Sequence, residues 1–385
     1  MPKQAVLLLA HGTPETVEQI PEYLRNVVSG RPVPQAVVEE IQHRYSLIGK
    51  SPLTEITLAQ ARLVEAELNG IGEASSAFHP SDKNKDVARV GHPASRPSKA
   101  WTGHPISQPN ESRVEHPAVP VYVGMRNWRP YIPEVVKQMR ADGVEEAAVI
   151  CMAPQNSRTS VGLYRRAAEA EAGGLRIDFT AGWADHPLLA DAFAERLRPT
   201  LAKLSADVGG PVPVLFTAHS VPTRTVEASA AGADSTSRPS DKNKDVARVG
   251  HPEPRLWPGE GADPYVEDAR RTAELVAVRV PEIPRWWFAF QSQGASGGPW
   301  IGPSVEETLD RLAGEGVKAL ILQPIGFLCD HVEILYDVDI CFKEYAARKQ
   351  IRLERPESLN TSETLARAVS DLARDGLRRL QDAKS

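Results

Sequence analysis

The stretch VPVLFTAHSVP, Val212–Pro222, decides how the rest of the chain is read. Its apolar residues run without polar alternation, halt at His219 and Ser220, and meet a strand-ending Pro222. A strand that is apolar on both faces is one covered on both faces, as in a parallel sheet walled by helices. Six further runs have the same form: AVLLLAHG (Ala5–Gly12), VPVYVGM (Val119–Met125), AAVICMAP (Ala147–Pro154), RIDFTAGW (Arg176–Trp183), WWFAFQSQG (Trp286–Gly294) and ALILQPIGF (Ala319–Phe327). Helical patterns lie between them. PYIPEVVKQMRADG (Pro130–Gly143) sets Ile132, Val135, Val136 and Met139 on one face, and SVEETLDRLAGEG (Ser304–Gly316) likewise closes on glycine. Alternating strand and helix predict an α/β protein with helix-covered parallel sheets. Seven or eight strands in 385 residues favour two such sheets facing one another, with ligands beyond the carboxyl ends of the strands.

Composition narrows the function classes. Hydrophobic content of 41% and charged content of 25% describe a soluble globular chain, and a net charge of −5 points to neither nucleic acid nor an anionic membrane as partner. Cys151, Cys329 and Cys341 are odd in number and far apart, which argues against a disulfide framework and for a reducing compartment. The apolar start is too short for a signal peptide or transmembrane span, so a cytoplasmic location is expected.

Two stretches, about 71–118 and about 228–261, are rich in Pro, Ser, His and Gly and lack periodicity. Each holds one copy of PSDKNKDVARVGHP, at Pro80–Pro93 and Pro239–Pro252. Their histidines could suggest a metal-loading arm. Yet each such imidazole precedes proline, which favours extended backbone and forbids i, i+4 pairing on a helix face. No cysteine or acidic residue stands at ligand spacing. Both stretches are read as inserted low-complexity sequence whose closure cost grows slowly with length.

Chemistry gathers where strands end. After the first strand come His11, Gly12 for a tight turn, Thr13 as N-cap and Pro14 at the first helical position. Ala10 stands where a histidine phosphotransferase needs arginine, and neither GxGxxG nor GxxxxGK[ST] occurs. His219 and Ser220 leave the strand of the opening stretch without the GxSxG elbow of a serine hydrolase. Further on, His331 and Glu333 open a helix on which Glu333, Asp337 and Cys341 are spaced i, i+4 and i+8 along one face. An acidic first turn suits the helix dipole by itself. Together, His219 and Glu333 offer an imidazole and a carboxylate at successive strand ends, fit for a divalent metal or coupled proton transfer.

With these residues in view, TAHSVP (Thr217–Pro222), PIGFLCDHVEILYD (Pro324–Asp337), QSQGASGGPWIGP (Gln291–Pro303) and RYSLIGKSPL (Arg44–Leu53) together resemble ferrochelatase, over essentially the whole chain except the two inserted stretches. The resemblance implies two Rossmann-like domains, each a parallel four-stranded sheet covered by helices, with a porphyrin cleft between them. The expected division is residues 1–174, residues 175–359, and a C-terminal helix in 360–385 that packs back on the first domain. The implied activity is insertion of Fe²⁺, a substrate, into protoporphyrin IX or coproporphyrin III with release of two protons and of haem. His219 and Glu333 match the metal-site pair, and Arg44, Tyr45, Ser51, Ser292, Gln293 and Trp300 match positions that contact the porphyrin.

Departures from the pattern carry their own expectations. His11 stands where relatives have tyrosine or an apolar residue, and is similar to a metal ligand of sirohydrochlorin chelatases; it is expected as an axial or accessory ligand and a porphyrin contact. Val28 replaces an arginine of coproporphyrin-type members, Phe290 a common tryptophan, and Gln155 a histidine of some relatives. Cys341 takes an often acidic place, which leaves Asp337 as the candidate for an outer acidic site. The tail lacks a cysteine cluster, so no iron–sulfur centre and no resident cofactor are expected. Expected partners are the porphyrin, the haem product and transient contacts with other haem-pathway enzymes. Alternative readings are a cobalt or nickel chelatase acting on another tetrapyrrole, and a haem- or metal-binding protein without turnover.

Overall fold

The computed structural model describes residues 2–70, 118–157, 160–227, 263–293 and 299–383. Both copies of the repeat, and nearly all of the two inserted stretches, lie outside the described residues.

Eight strands form two four-stranded parallel sheets. The first contains β1 (Gln4–Ala10), β2 (Val121–Met125), β3 (Glu146–Cys151) and β4 (Arg176–Thr180) in the order β2-β1-β3-β4. The second contains β5 (Val214–His219), β6 (Trp286–Gln291), β7 (Ala319–Pro324) and β8 (Arg352–Glu354) in the order β6-β5-β7-β8. Each central strand is flanked on both sides and covered on both faces. Leu7 and Leu9 pack on one face of β1, Val6 and Leu8 on the other, and all four are fully buried. Complete burial of such a side chain contributes about 1.5–3 kcal/mol, which is why these runs show no polar alternation.

The two halves echo one another. Order 2-1-3-4 recurs, and Val6, Leu7, Ala10, His11 and Pro14 have identical counterparts in Val214, Leu215, Ala218, His219 and Pro222. Residues 130–144 and 303–317 align without a gap, sharing Pro130/Pro303, Glu134/Glu307, Gly143/Gly316 and Val144/Val317. Both segments fold as a ten-residue helix, Ile132–Ala141 and Val305–Gly314, followed by a left-handed glycine. Ile132, Val135, Val136 and Met139 are buried on the first, as their spacing requires. In each half the strand order reverses between its first and third strands, the place beyond whose carboxyl ends open α/β sheets receive ligands.

The structure corrects three expectations. A boundary at residue 174 falls one strand too early, because Arg176–Thr180 pairs with β3 and completes the first sheet. The crossing to the second half is made by the long helix Pro187–Val208. Thr13 is no helix cap; it is buried and donates from Oγ1 to Ser51 Oγ at 3.0 Å, while Thr16 forms the capping box with Gln19. Finally, Glu333–Phe342 is wound as a π-helix, a form that is rare and recurrent at functional sites. The terminal helix Glu363–Asp382 packs on β3, β4 and the helix Leu53–Leu68. Among the described residues no helix is long and apolar enough to cross a membrane.

Candidate active site

His219 closes β5 and is fixed from three sides. Its Nδ1 donates to the Ser220 carbonyl, its own carbonyl accepts from Tyr265 Oη at 2.8 Å, and its ring meets the Phe327 ring edge-on at 6.2 Å. Gly326 lets the chain after β7 come close: a Cβ there would stand 3.2 Å from both Cα and Cβ of Ala218. Nε2 is thereby left facing Glu333, 3.5 Å from Oε1. On the other side of that carboxylate, His331 Nε2 lies 3.6 Å from Oε2. His331 is anchored in the same manner, with Nδ1 on the Cys329 carbonyl at 3.1 Å and its ring 4.4 Å from that of Phe327. One carboxylate thus sits between two imidazoles, each held through Nδ1 by the backbone.

Electrostatics follow from that sandwich. Burial pulls the His219 pKa down, but the Glu333 carboxylate and the Ser220 carbonyl outweigh it and hold the imidazole above its ordinary value. Burial alone would raise Glu333, yet His219 and His331 keep its carboxyl well below the usual range. Among the described residues no hydrogen-bond donor reaches Glu333 Oε2. The side chains of His219 and Glu333 remain 33% and 31% exposed, so the pair is open to a substrate.

From the first half, His11 follows β1 at a turn that only glycine fits. Gly12 has φ +75°, and a Cβ there would lie 2.7 Å from Met125 Cβ. The His11 Nε2 lies 2.9 Å from Tyr23 Oη and 3.1 Å from Asn127 Nδ2. Burial, and next the nearby Arg126 guanidinium, lower the His11 pKa to about 3, so this imidazole is neutral at physiological pH. The charges of Glu333, His331 and His219 also act on it, more weakly. In this structure the His11 Nε2 is thus engaged by Tyr23 and Asn127. Among the described residues no three His, Cys, Asp or Glu side chains converge as a metal-binding group.

The expected porphyrin contacts divide into two sets. Arg44 is already engaged: Nη1 donates to Asp337 Oδ1 at 3.2 Å, Nε to Glu40 at 3.0 Å, and the guanidinium lies 5.0 Å from the Tyr336 ring centroid. Ser292 Oγ donates to Asp337 Oδ2 at 2.5 Å. Asp337 is therefore a buried clasp from the first half to the second, its pKa raised mainly by burial. Tyr45 is fully enclosed in a cluster with Ile20, Tyr23, Leu24, Val38 and Trp128, against which Val332 also packs. Ser51 is buried on Thr13, Trp300 is half-buried in a bridge to Pro222, and Gln293 is exposed. Gln155 donates to Thr272 and to the Ile325 carbonyl, a structural bond between halves. Phe290 packs on Phe288, and Val28 caps the helix Ile20–Val27. Cys341 is a free, half-buried thiol beyond Asp337.

Four further residues join the site. His331 carried a signal, its place two residues before Glu333; Tyr23, Asn127 and Tyr265 carried none, because the fold alone brings them to the histidines.

The family model described as Ferrochelatase matches residues 3–80 and 106–377. A ferrochelatase of Acidobacterium capsulatum is 49% identical over 100% of this chain and 97% of its own length. A ferrochelatase of Herpetosiphon aurantiacus is 32% identical, covering 93% of this chain and 94% of its own. A coproporphyrin III ferrochelatase of a Geobacillus species is 27% identical, covering 94% and 93%. Two parallel sheets of matched order, an imidazole–carboxylate pair beyond the strand ends of the second, and similarity along the whole chain lead to one conclusion: this chain belongs to the ferrochelatase family, the lyases that insert iron into a porphyrin in haem biosynthesis.

Proposed function

We propose that His219 and Glu333 carry the iron insertion, with His331 behind them as the exit for protons. Incorporating Fe²⁺ requires two pyrrole N–H protons to leave the ring. Neutral His219 has its Nδ1 proton committed to the Ser220 carbonyl, so the lone pair of Nε2 is available on the cleft side. That atom takes a pyrrole proton, and the imidazolium formed is stabilised by Glu333. A base with a pKa raised toward the operating pH is well matched to this task. Glu333 then relays the proton to His331 Nε2, which releases it to solvent before the second pyrrole proton follows the same route. Fe²⁺ takes the four ring nitrogens as the two protons depart, which balances charge.

The observation that carries this reading is the sandwich of Glu333 between two backbone-anchored imidazoles, 3.5 and 3.6 Å away. His11 is a neutral imidazole whose Nε2 is engaged by Tyr23 and Asn127. We place the protein in the cytoplasm without a resident cofactor, in keeping with its mild charge and three separate thiols.

The test is anaerobic absorbance spectroscopy with Fe²⁺, Co²⁺ or Zn²⁺ offered with protoporphyrin IX or coproporphyrin III. Iron insertion by the wild type and its loss in His219→Ala, with porphyrin still bound, are expected. Wild-type turnover in that variant would remove His219 from the mechanism. Preference for cobalt over iron would transfer the chemistry to another tetrapyrrole.

A further inference from the structure

A porphyrin brings carboxylates as well as a ring, and the cation assigned to them by sequence, Arg44, is already held by Asp337 and Glu40. A different guanidinium is better placed. Arg126 follows β2 directly, and its loop is laced to the end of β1: Arg126 N donates to the Ala10 carbonyl and Asn127 N to the His11 carbonyl, both at 2.9 Å. Its side chain is half-buried, and its charge acts on His11. The guanidinium lies over the Tyr164 ring, 5.0 Å from its centroid. Among the described residues no carboxylate or other hydrogen-bond acceptor reaches it, whereas Arg44, Arg176, Arg355 and Arg379 are each paired with acids.

A cation withdrawn from water without a counter-charge is costly, and an aromatic face offsets only part of that cost. Evolution of a cleft that leaves one there is explained when the missing anion arrives with the substrate. An arginine matches a carboxylate with two parallel N–H···O bonds, stronger than neutral ones. We propose that Arg126 is the first-half seat for a carboxylate of the tetrapyrrole substrate, and that it sets which edge of the ring enters beside His11. This rests on the porphyrin reading above and adds a specificity residue to it.

The alternative is that Arg126 only packs on Tyr164. Fluorescence titration separates the two, using protoporphyrin IX and its dimethyl ester dispersed in the same detergent. Arg126→Met should weaken binding of the free acid about tenfold or more, a factor of ten being about 1.4 kcal/mol, and leave the ester unchanged. Arg126→Lys, which keeps the charge without the planar fork, should recover part of the loss. Kd for the free acid should rise with salt in the wild type and less steeply in Arg126→Met. Equal weakening of acid and ester, or no change in either, would overturn the assignment. If Arg126→Met fails to fold, comparing Arg126→Gln with Arg126→Lys on the same two rings decides the matter. A wild type that binds neither ring would instead strike at the porphyrin reading itself.

Discussion

Glu333 is where the chemistry concentrates, because its two oxygens face two different imidazoles. Its influence can be read through His219. The carboxylate holds the His219 pKa up, so activity that needs neutral His219 should rise with pH across an elevated pKa. In Glu333→Gln the support is gone while burial remains, so the acid limb of whatever activity survives should shift to lower pH. Measuring kcat against pH for both proteins checks this, and an unmoved limb would separate the two groups. Stability carries the signs of both partners. Glu333, depressed in the fold, stabilises above its unfolded pKa and loses that contribution as pH falls through the folded one. His219, raised, stabilises fully below its unfolded pKa and loses its share as pH rises through the folded value. The pair should therefore be most stabilising between those limits. Gly12 gives a second test at this scale. Gly12→Ala needs a left-handed alanine with its Cβ 2.7 Å from Met125 Cβ, so the turn bearing His11 must move, lowering stability by about 1–3 kcal/mol and disturbing the Tyr23 contact.

At the scale of elements, the legible parts were those in which one physical demand dominates. Seven strands show themselves because burial on both faces leaves no room for polar alternation. β8, three residues with an exposed Arg352, gives no such run and is found only through its pairing with β7. β4 was legible as a strand but not as a member of the first sheet, since pairing partners are set by crossovers and not by local composition. The π-winding after Glu333 was hidden too, because α and π turns draw on the same residues. At the site, His219 and Glu333 stood out as polar exits from apolar strands, whereas Tyr23 and Asn127 are recruited from distant elements to serve His11. The final helix offers a direct test of element packing. A Cβ at Gly376 would lie 2.9 Å from Ala148 Cβ on β3 and 3.0 Å from Asp178 Oδ1 on β4. Gly376→Val should push the helix off the first sheet and cost about 1–3 kcal/mol of stability by urea denaturation, the overpacking penalty exceeding any gain in helix propensity.

For the whole molecule, the question is what keeps two similar halves facing one another. Gln155 binds them at the base through Thr272 and the Ile325 carbonyl. Near the mouth the clasp is Asp337, which takes Arg44 from the first half and Ser292 from the second. Asp337 is buried, while the Arg44 side chain is 29% exposed, so solvent screens part of the attraction and the pair is worth less than a fully enclosed one. Removing either partner alone mixes the loss of the clasp with the cost of stranding the other charge. A double-mutant cycle isolates the coupling. Arg44→Met and Asp337→Asn should each destabilise, and their combination should destabilise by less than the sum, by about 0.5–3 kcal/mol, the range for residues in direct contact. The same pair should act in concert on the cleft. Hydrogen exchange should quicken both in the helix Gln35–Ile48 and in the π-helix Glu333–Phe342 for either single variant, and the second change should add little to the first. Effects that simply add within about 0.3–0.5 kcal/mol, with exchange altered in one half only, would show that Arg44 and Asp337 do not couple the halves.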